Sequence, residues 1–208
     1  MKDHNKDYAR DLAEIRSMME RSSKFLSLSG WEGVLAGMYA LAGAYCAHAL
    51  YGFTPNTPFY DYLAMSGSGD AMMVISIAGL VLILALATAF FFASRKASKL
   101  GEKAWNPTSR RLLMSMAVPL VSGGVVILLL VREGLVGLTA PLMLLFYGLS
   151  LYNAGKYTIN EVKILGFVQI ALGIVNLALL GYGLLFWAIG FGLMHIVYGI
   201  VMYIRYER

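Results

Sequence analysis

"ILGFVQIALGIVNLALLGYGLLFWAIGFGLMHIVYGIVMYI", residues 164–204, contains no Asp, Glu, Lys or Arg. A helix crossing a bilayer needs roughly 20 apolar residues. The stretch is too long for one crossing and suits two. Gly181-Tyr182-Gly183 is the natural break, because glycine permits the backbone angles of a tight helical hairpin. Reading it as two spanning helices sets the fold class, and the rest of the chain repeats the pattern.

Of the 208 residues, 59% are hydrophobic and 14% charged, and the mean hydropathy is +0.66. Soluble domains are about 45–50% apolar and about 25% charged. The charges fall in blocks, and the intervals between blocks predict spans at about 30–52, 71–93, 108–131, 135–153, 161–180 and 184–204. Val131-Arg132-Glu133-Gly134 makes the turn between the third and fourth. Pro119 and Pro141 fall within spans and are expected to kink them. The expected fold is an all-α integral membrane protein. Residues 29–208 form a six-transmembrane-helix bundle, and 1–28 a cytoplasmic amphipathic helix. A secretory leader is not expected, since the first 28 residues are of mixed charge and the first apolar segment is of full spanning length.

All of the 17 Lys and Arg except Arg132 fall on one side of this topology. The positive-inside rule then places both termini in the cytoplasm of a cell with a plasma (inner) membrane. The net charge of +5 is a topology signal, with attraction to anionic lipid as a by-product. No basic face remains for nucleic acid. Cys46 is the only cysteine, so neither a disulfide nor a cysteine metal site can form within one chain.

Within residues 5–28, Tyr8, Leu12, Ile15, Met19 and Leu26 recur at helical spacing, while Asp7, Asp11, Glu14 and Glu20 lie mainly on other faces. This segment is expected to lie on the inner leaflet or under the bundle, or to dock a cytoplasmic partner or a second subunit. The outer loop at 52–70 carries Phe59, Tyr60 and Tyr62, which suit an interfacial anchor.

Association of helices in lipid depends on close packing, which small residues permit. Gly33, Gly37, Ala40, Ala44 and Ala47 share a face of the first span. Gly166, Gln169, Gly173 and Asn176 share one of the fifth, and Ala188, Gly192, His195 and Gly199 one of the sixth. These three spans are expected to pack together around a pocket. Gln169, Asn176 and His195 fall within the apolar depth, where an unsatisfied polar group costs several kcal/mol. They are the candidate ligand-binding residues, and His195 leads them as the ionisable one. The competing role is a neutral histidine bonded for structure to Gln169, Asn176 or a tyrosine.

At about 1.5 Å per residue, His195 and Gln169 reach similar depths, while His48 lies about 13 Å further out. The two histidines therefore cannot share a haem or a zinc ion, and no cofactor or metal is expected. Ser122 with His195 only superficially suggests a serine protease, and no phosphate loop, dinucleotide fingerprint or pair of intramembrane carboxylates occurs. An enzyme is not expected.

"SGWEGVLAG" (29–37) and "TINEVKILG" (158–166) both read Ser/Thr-x-x-Glu followed by glycine. Each fits a capping box, Ser29 with Glu32 and Thr158 with Glu161, and the correspondence hints at a duplicated hairpin. Glu32 is thus expected as a wet helix cap near Lys or Arg, with Trp31 in the interfacial belt. Asn106-Pro107 starts the third span with proline at the first helical position.

Ala36, Ala40 and Ala44 give an AxxxA spacing in the first span. In size, topology and this motif the chain is similar to the substrate-binding subunits of energy-coupling-factor vitamin transporters, whose first helix docks a partner through AxxxA. The charged N-terminal segment departs from that pattern. The resemblance implies a membrane-embedded small-molecule-binding subunit. Two functions are therefore expected as alternatives. One is a transporter or binding subunit with a pocket among spans one, five and six. The other is a non-catalytic sensor or interaction protein presenting residues 5–28.

Overall fold

A computed structural model of the protein describes residues 29–51, 68–99 and 105–208. The expected helix at 5–28 and nearly all of the outer loop lie outside the described residues. Those described are helical, with no strand among them. We number the long helices α1 (Gly30–Tyr51), α2 (Ser68–Lys99), α3 (Pro107–Arg132), α4 (Thr139–Ala154) and α5 (Asn160–Ala178). The last, α6, runs without interruption through Gly183–Trp187, a π-helical part Ala188–Leu193, and Met194–Tyr206. Among the described residues, six helices are long and apolar enough to cross a membrane. By length and composition the described helices are compatible with a multi-pass membrane protein.

The local signals act where the residues place them. Asn106 caps α3: its Oδ1 accepts from the Ser109 amide at 2.8 Å, and Ser109 Oγ accepts from the Asn106 amide at 2.9 Å. Pro107 is the first helical residue. Gly134 turns the chain between α3 and α4 at φ 77°, the only positive φ among the described residues, where a side chain would be strained. Pro141 lies in the first turn of α4. Its missing N–H is one the helix could not have used, so it need not kink the helix. A short 3-10 turn, Leu180–Tyr182, breaks the long apolar stretch.

Glycine edges set the neighbours. A Cβ on Gly37 would lie 2.6 Å from the Gly192 carbonyl oxygen, and one on Gly33 would lie 3.0 Å from Gly199 Cα. α1 and α6 therefore meet backbone to backbone, running antiparallel, as small residues allow. The edge of α5 goes elsewhere. A Cβ on Gly166 would lie 2.7 Å from the Tyr152 amide, and one on Gly173 would lie 2.9 Å from the Pro141 carbonyl oxygen. The α5 edge is spent on α4, so α1, α5 and α6 do not form the single close trio expected from their stripes. α2 packs along α1, with Tyr39 Oη 3.3 Å from Thr88 Oγ1, and α3 packs along α4, with Ser150 donating to the Met116 carbonyl at 3.1 Å.

Among the described residues α2 and α3 hardly touch each other. They flank an open side of the bundle. Their outer faces carry exposed Leu80, Ile83, Phe90, Val118, Val121 and Leu128. That is far more contiguous apolar surface than a water-soluble monomer presents, and it suits hydrocarbon.

Candidate functional site

The open side leads into a cavity of about 480 Å³, within the 300–1,000 Å³ range of small-molecule sites. Leu82 and Leu86 of α2 and Leu120 of α3 both line it and remain exposed. The cavity therefore opens sideways between these helices, toward the region lipid would occupy.

Its inner wall is one face of α6. Trp187, Phe191 and His195 recur every fourth residue, and Tyr198 follows. All four line the cavity. The rings form a ladder, with centroids 5.4 Å apart for Trp187 and Phe191 and 6.1 Å for Phe191 and His195. Tyr147 of α4 joins it, 5.1 Å from Phe191 and 5.5 Å from His195.

The π-helical part of α6 supplies the polar anchor. Its i→i+5 pattern changes which backbone groups pair. The Gly190 carbonyl accepts from Gln169 Nε2 at 2.7 Å and from His195 Nδ1 at 3.0 Å. A carbonyl only accepts, so Nδ1 carries hydrogen and Nε2 of the neutral ring is the acceptor. Tyr147 Oη lies 2.8 Å from Nε2 and donates to it. A Cβ on residue 190 would lie 2.6 Å from Gln169 Oε1, so only glycine lets the amide approach this closely.

Of the candidate binding residues, His195 lines the cavity, while Gln169 and Asn176 lie behind its wall. Both amides are fully buried. Gln169 meets His195 only through their shared acceptor. Asn176 donates to the Leu179 carbonyl at 3.1 Å, closing the end of α5. The cavity is thus walled by α1, α2, α3, α4 and α6. α5 contributes only near its first turns, through Val162 and Leu165. The position among spans one, five and six read from the small stripes is displaced, because α5 turns that edge to α4.

Glu32 also lines the cavity. Its Oε1 accepts from the Ser29 amide, the return half of the expected capping box. It is not wet, however, being 7% exposed, and Oε2 is buried with no hydrogen-bond partner among the described residues. Close packing of Gly30 and Gly33 on Gly199 and Tyr203 shuts water out. Trp31 remains exposed and meets Tyr203 edge-on, with ring centroids 5.9 Å apart. Beside Glu32, Glu207 accepts from the Gly30 amide at 3.1 Å and from Lys96 at 3.4 Å.

At the second Ser/Thr-x-x-Glu start, Ile159 occupies the cap position of α5 with no side-chain bond of its own. The Glu161 carboxylate accepts from Arg205 and, at 3.0 Å, from Tyr206 Oη, tying α5 to the end of α6. Ser122 is exposed and donates to the Val118 carbonyl of its own helix at 2.7 Å.

Tyr147 is the site residue that the sequence left unmarked, and Glu32, read there only as a helix cap, also lines the cavity. The Trp187-Phe191-His195-Tyr198 spacing was the visible signal for the wall. No family model matches this chain, and no curated protein or solved structure matches it.

Proposed function

We propose that the protein is a membrane-embedded binding protein or transporter for a small, largely apolar molecule, held in the cavity between α2 and α3. The carrying observation is the cavity itself: apolar, of ligand size, open toward lipid and bearing the Tyr147–His195 pair at its wall. Such sites are typically apolar with a few convergent polar groups that fix orientation. In a bilayer the sideways opening lets a molecule enter from the hydrocarbon without crossing water.

The reading is of binding rather than catalysis. The Nε2 lone pair of His195 is occupied by the Tyr147 hydroxyl, so the ring is not poised as a base. The cavity lining, among the described residues, includes no serine or cysteine. The one-sided distribution of Lys and Arg supports insertion in a plasma (inner) membrane with both termini in the cytoplasm.

The test is native mass spectrometry of the purified full chain beside Gly124→Phe. Gly124 lines the cavity, and a Cβ there meets nothing within 4 Å, so a larger side chain can start from this position without an immediate clash. We expect a co-purifying apolar molecule on the native chain and its loss from the variant. The same molecule retained by Gly124→Phe would reject this cavity as the site.

A further inference from the structure

Resting on that reading, we propose that the ligand is an amphiphilic organic cation, an apolar body bearing a protonated amine, whose ammonium group is received by Glu32. The carboxylate lies at one end of the cavity, near the N-terminus of α1, and the aromatic ladder of α6 extends away from it. Glu32 Oε1 is engaged by the Ser29 amide, while Oε2 is buried with no hydrogen-bond partner among the described residues. A buried carboxylate oxygen left unpaired is costly, and a cation that donates a hydrogen bond removes the cost.

The surrounding charges point the same way. Among the described residues, those that reach Glu32 are Lys96 and Glu207. Lys96 is ion-paired to Glu207 at 3.4 Å, so with Glu32 ionised this group of three sums to one negative charge. Arg205, on the same end of α6, is paired to Glu161. Among the described residues this charge favours a cation at Glu32 over a carboxylate or phosphate head. The aromatic faces of Tyr147, Phe191 and Trp187 suit an apolar body and also tolerate positive charge. The phenol oxygen of Tyr147 adds a second acceptor along the wall.

The experiment uses the three tryptophans. In the full chain carrying Trp31→Phe and Trp105→Phe, Trp187 is the only tryptophan left. It lines the cavity and is 8% exposed. The protein is placed in phosphatidylcholine nanodiscs and titrated with 12-bromododecylamine or 12-bromododecanol, whose bromine quenches tryptophan. We expect saturable quenching by both, with the amine tighter by about tenfold, since an ionised donor adds charge to the hydrogen bond. Glu32→Gln keeps the shape and an acceptor for the Ser29 amide. In it the amine should weaken to the level of the alcohol, and retained alcohol binding shows that the cavity is intact. Equal binding of amine and alcohol by the native chain would overturn the cationic ligand while leaving the binding reading in place. So would an undiminished amine preference in Glu32→Gln. No saturable quenching by either probe would overturn the binding reading itself.

Discussion

Tyr147 Oη and His195 Nε2 lie 2.8 Å apart, joining α4 to α6 across the wall of the cavity. The direction of that bond follows from the other ring nitrogen, whose partner is the Gly190 carbonyl at 3.0 Å. With Nδ1–H held by a carbonyl, only the tyrosine can donate.

Removing the donor should strand a buried acceptor. Tyr147→Phe is expected to destabilise the fold by about 1–3 kcal/mol, the cost of an unsatisfied buried group. In a double-mutant cycle with His195→Ala, unfolding in mixed micelles should give a coupling of about 0.5–2 kcal/mol. Strict additivity would show that the pair contributes nothing to the fold.

Gly190 should not tolerate a methyl group. The added Cβ would lie 2.4 Å from Leu144 Cδ2 and 2.6 Å from Gln169 Oε1, so these two fully buried side chains must shift. Gly190→Ala is expected to cost about 1–3 kcal/mol. Gly79, where a Cβ meets nothing within 4 Å, is the control: Gly79→Ala should be neutral or gain up to about 1 kcal/mol from helix propensity. Thermal unfolding of the two variants in the same detergent compares them directly, and equal transitions would contradict the packing at residue 190.

The α1–α6 contact should depend on its glycines more than on apolarity. Gly37→Leu places branched carbon against the Gly192 carbonyl, 2.6 Å from the Cβ position, and should separate the helices. We expect a loss of about 2 kcal/mol or more, read from denaturant midpoints. A stability within about 0.5 kcal/mol of the native chain, the range of ordinary surface changes, would show that α1 and α6 do not approach this closely.

Glu161 should contribute as an inter-helix tie. Arg205 is largely exposed, at 65%, so solvent screens that part of the interaction and Arg205→Ala should cost no more than about 1 kcal/mol. Glu161→Ala removes the acceptor for both Arg205 and Tyr206 and should cost more than either partner's loss. If Glu161→Ala were the milder change in thermal unfolding, the tie would be refuted.

The proposed orientation has a direct readout. A green fluorescent protein fused after Arg208 should fluoresce, and alkaline phosphatase fused there should be inactive, if the C-terminus is cytoplasmic. Fusions in the Arg132–Gly134 turn should give the reverse. An active phosphatase at the C-terminus would invert the topology.

The crossings and their ends could be read along the chain, because length, apolarity and cap chemistry are local. The 41-residue apolar stretch could only be two helices. Asn106-Pro107 and Gly134 mark a start and a turn by their own backbone requirements. Partner choice was not local. In hydrocarbon a helix is apolar on nearly every side, so no amphipathic stripe names its neighbour, and a glycine edge fits any helix that offers a complementary one. The sequence therefore gave α5 a packing edge but not its partner, and only the tertiary structure assigns that edge to α4. That assignment leaves Gln169 and Asn176 behind the wall of the cavity. Glu32 shows the same division. Its spacing from Ser29 determined the bond to the helix start, whereas its burial depends on α6 closing over it through contacts more than 160 residues away.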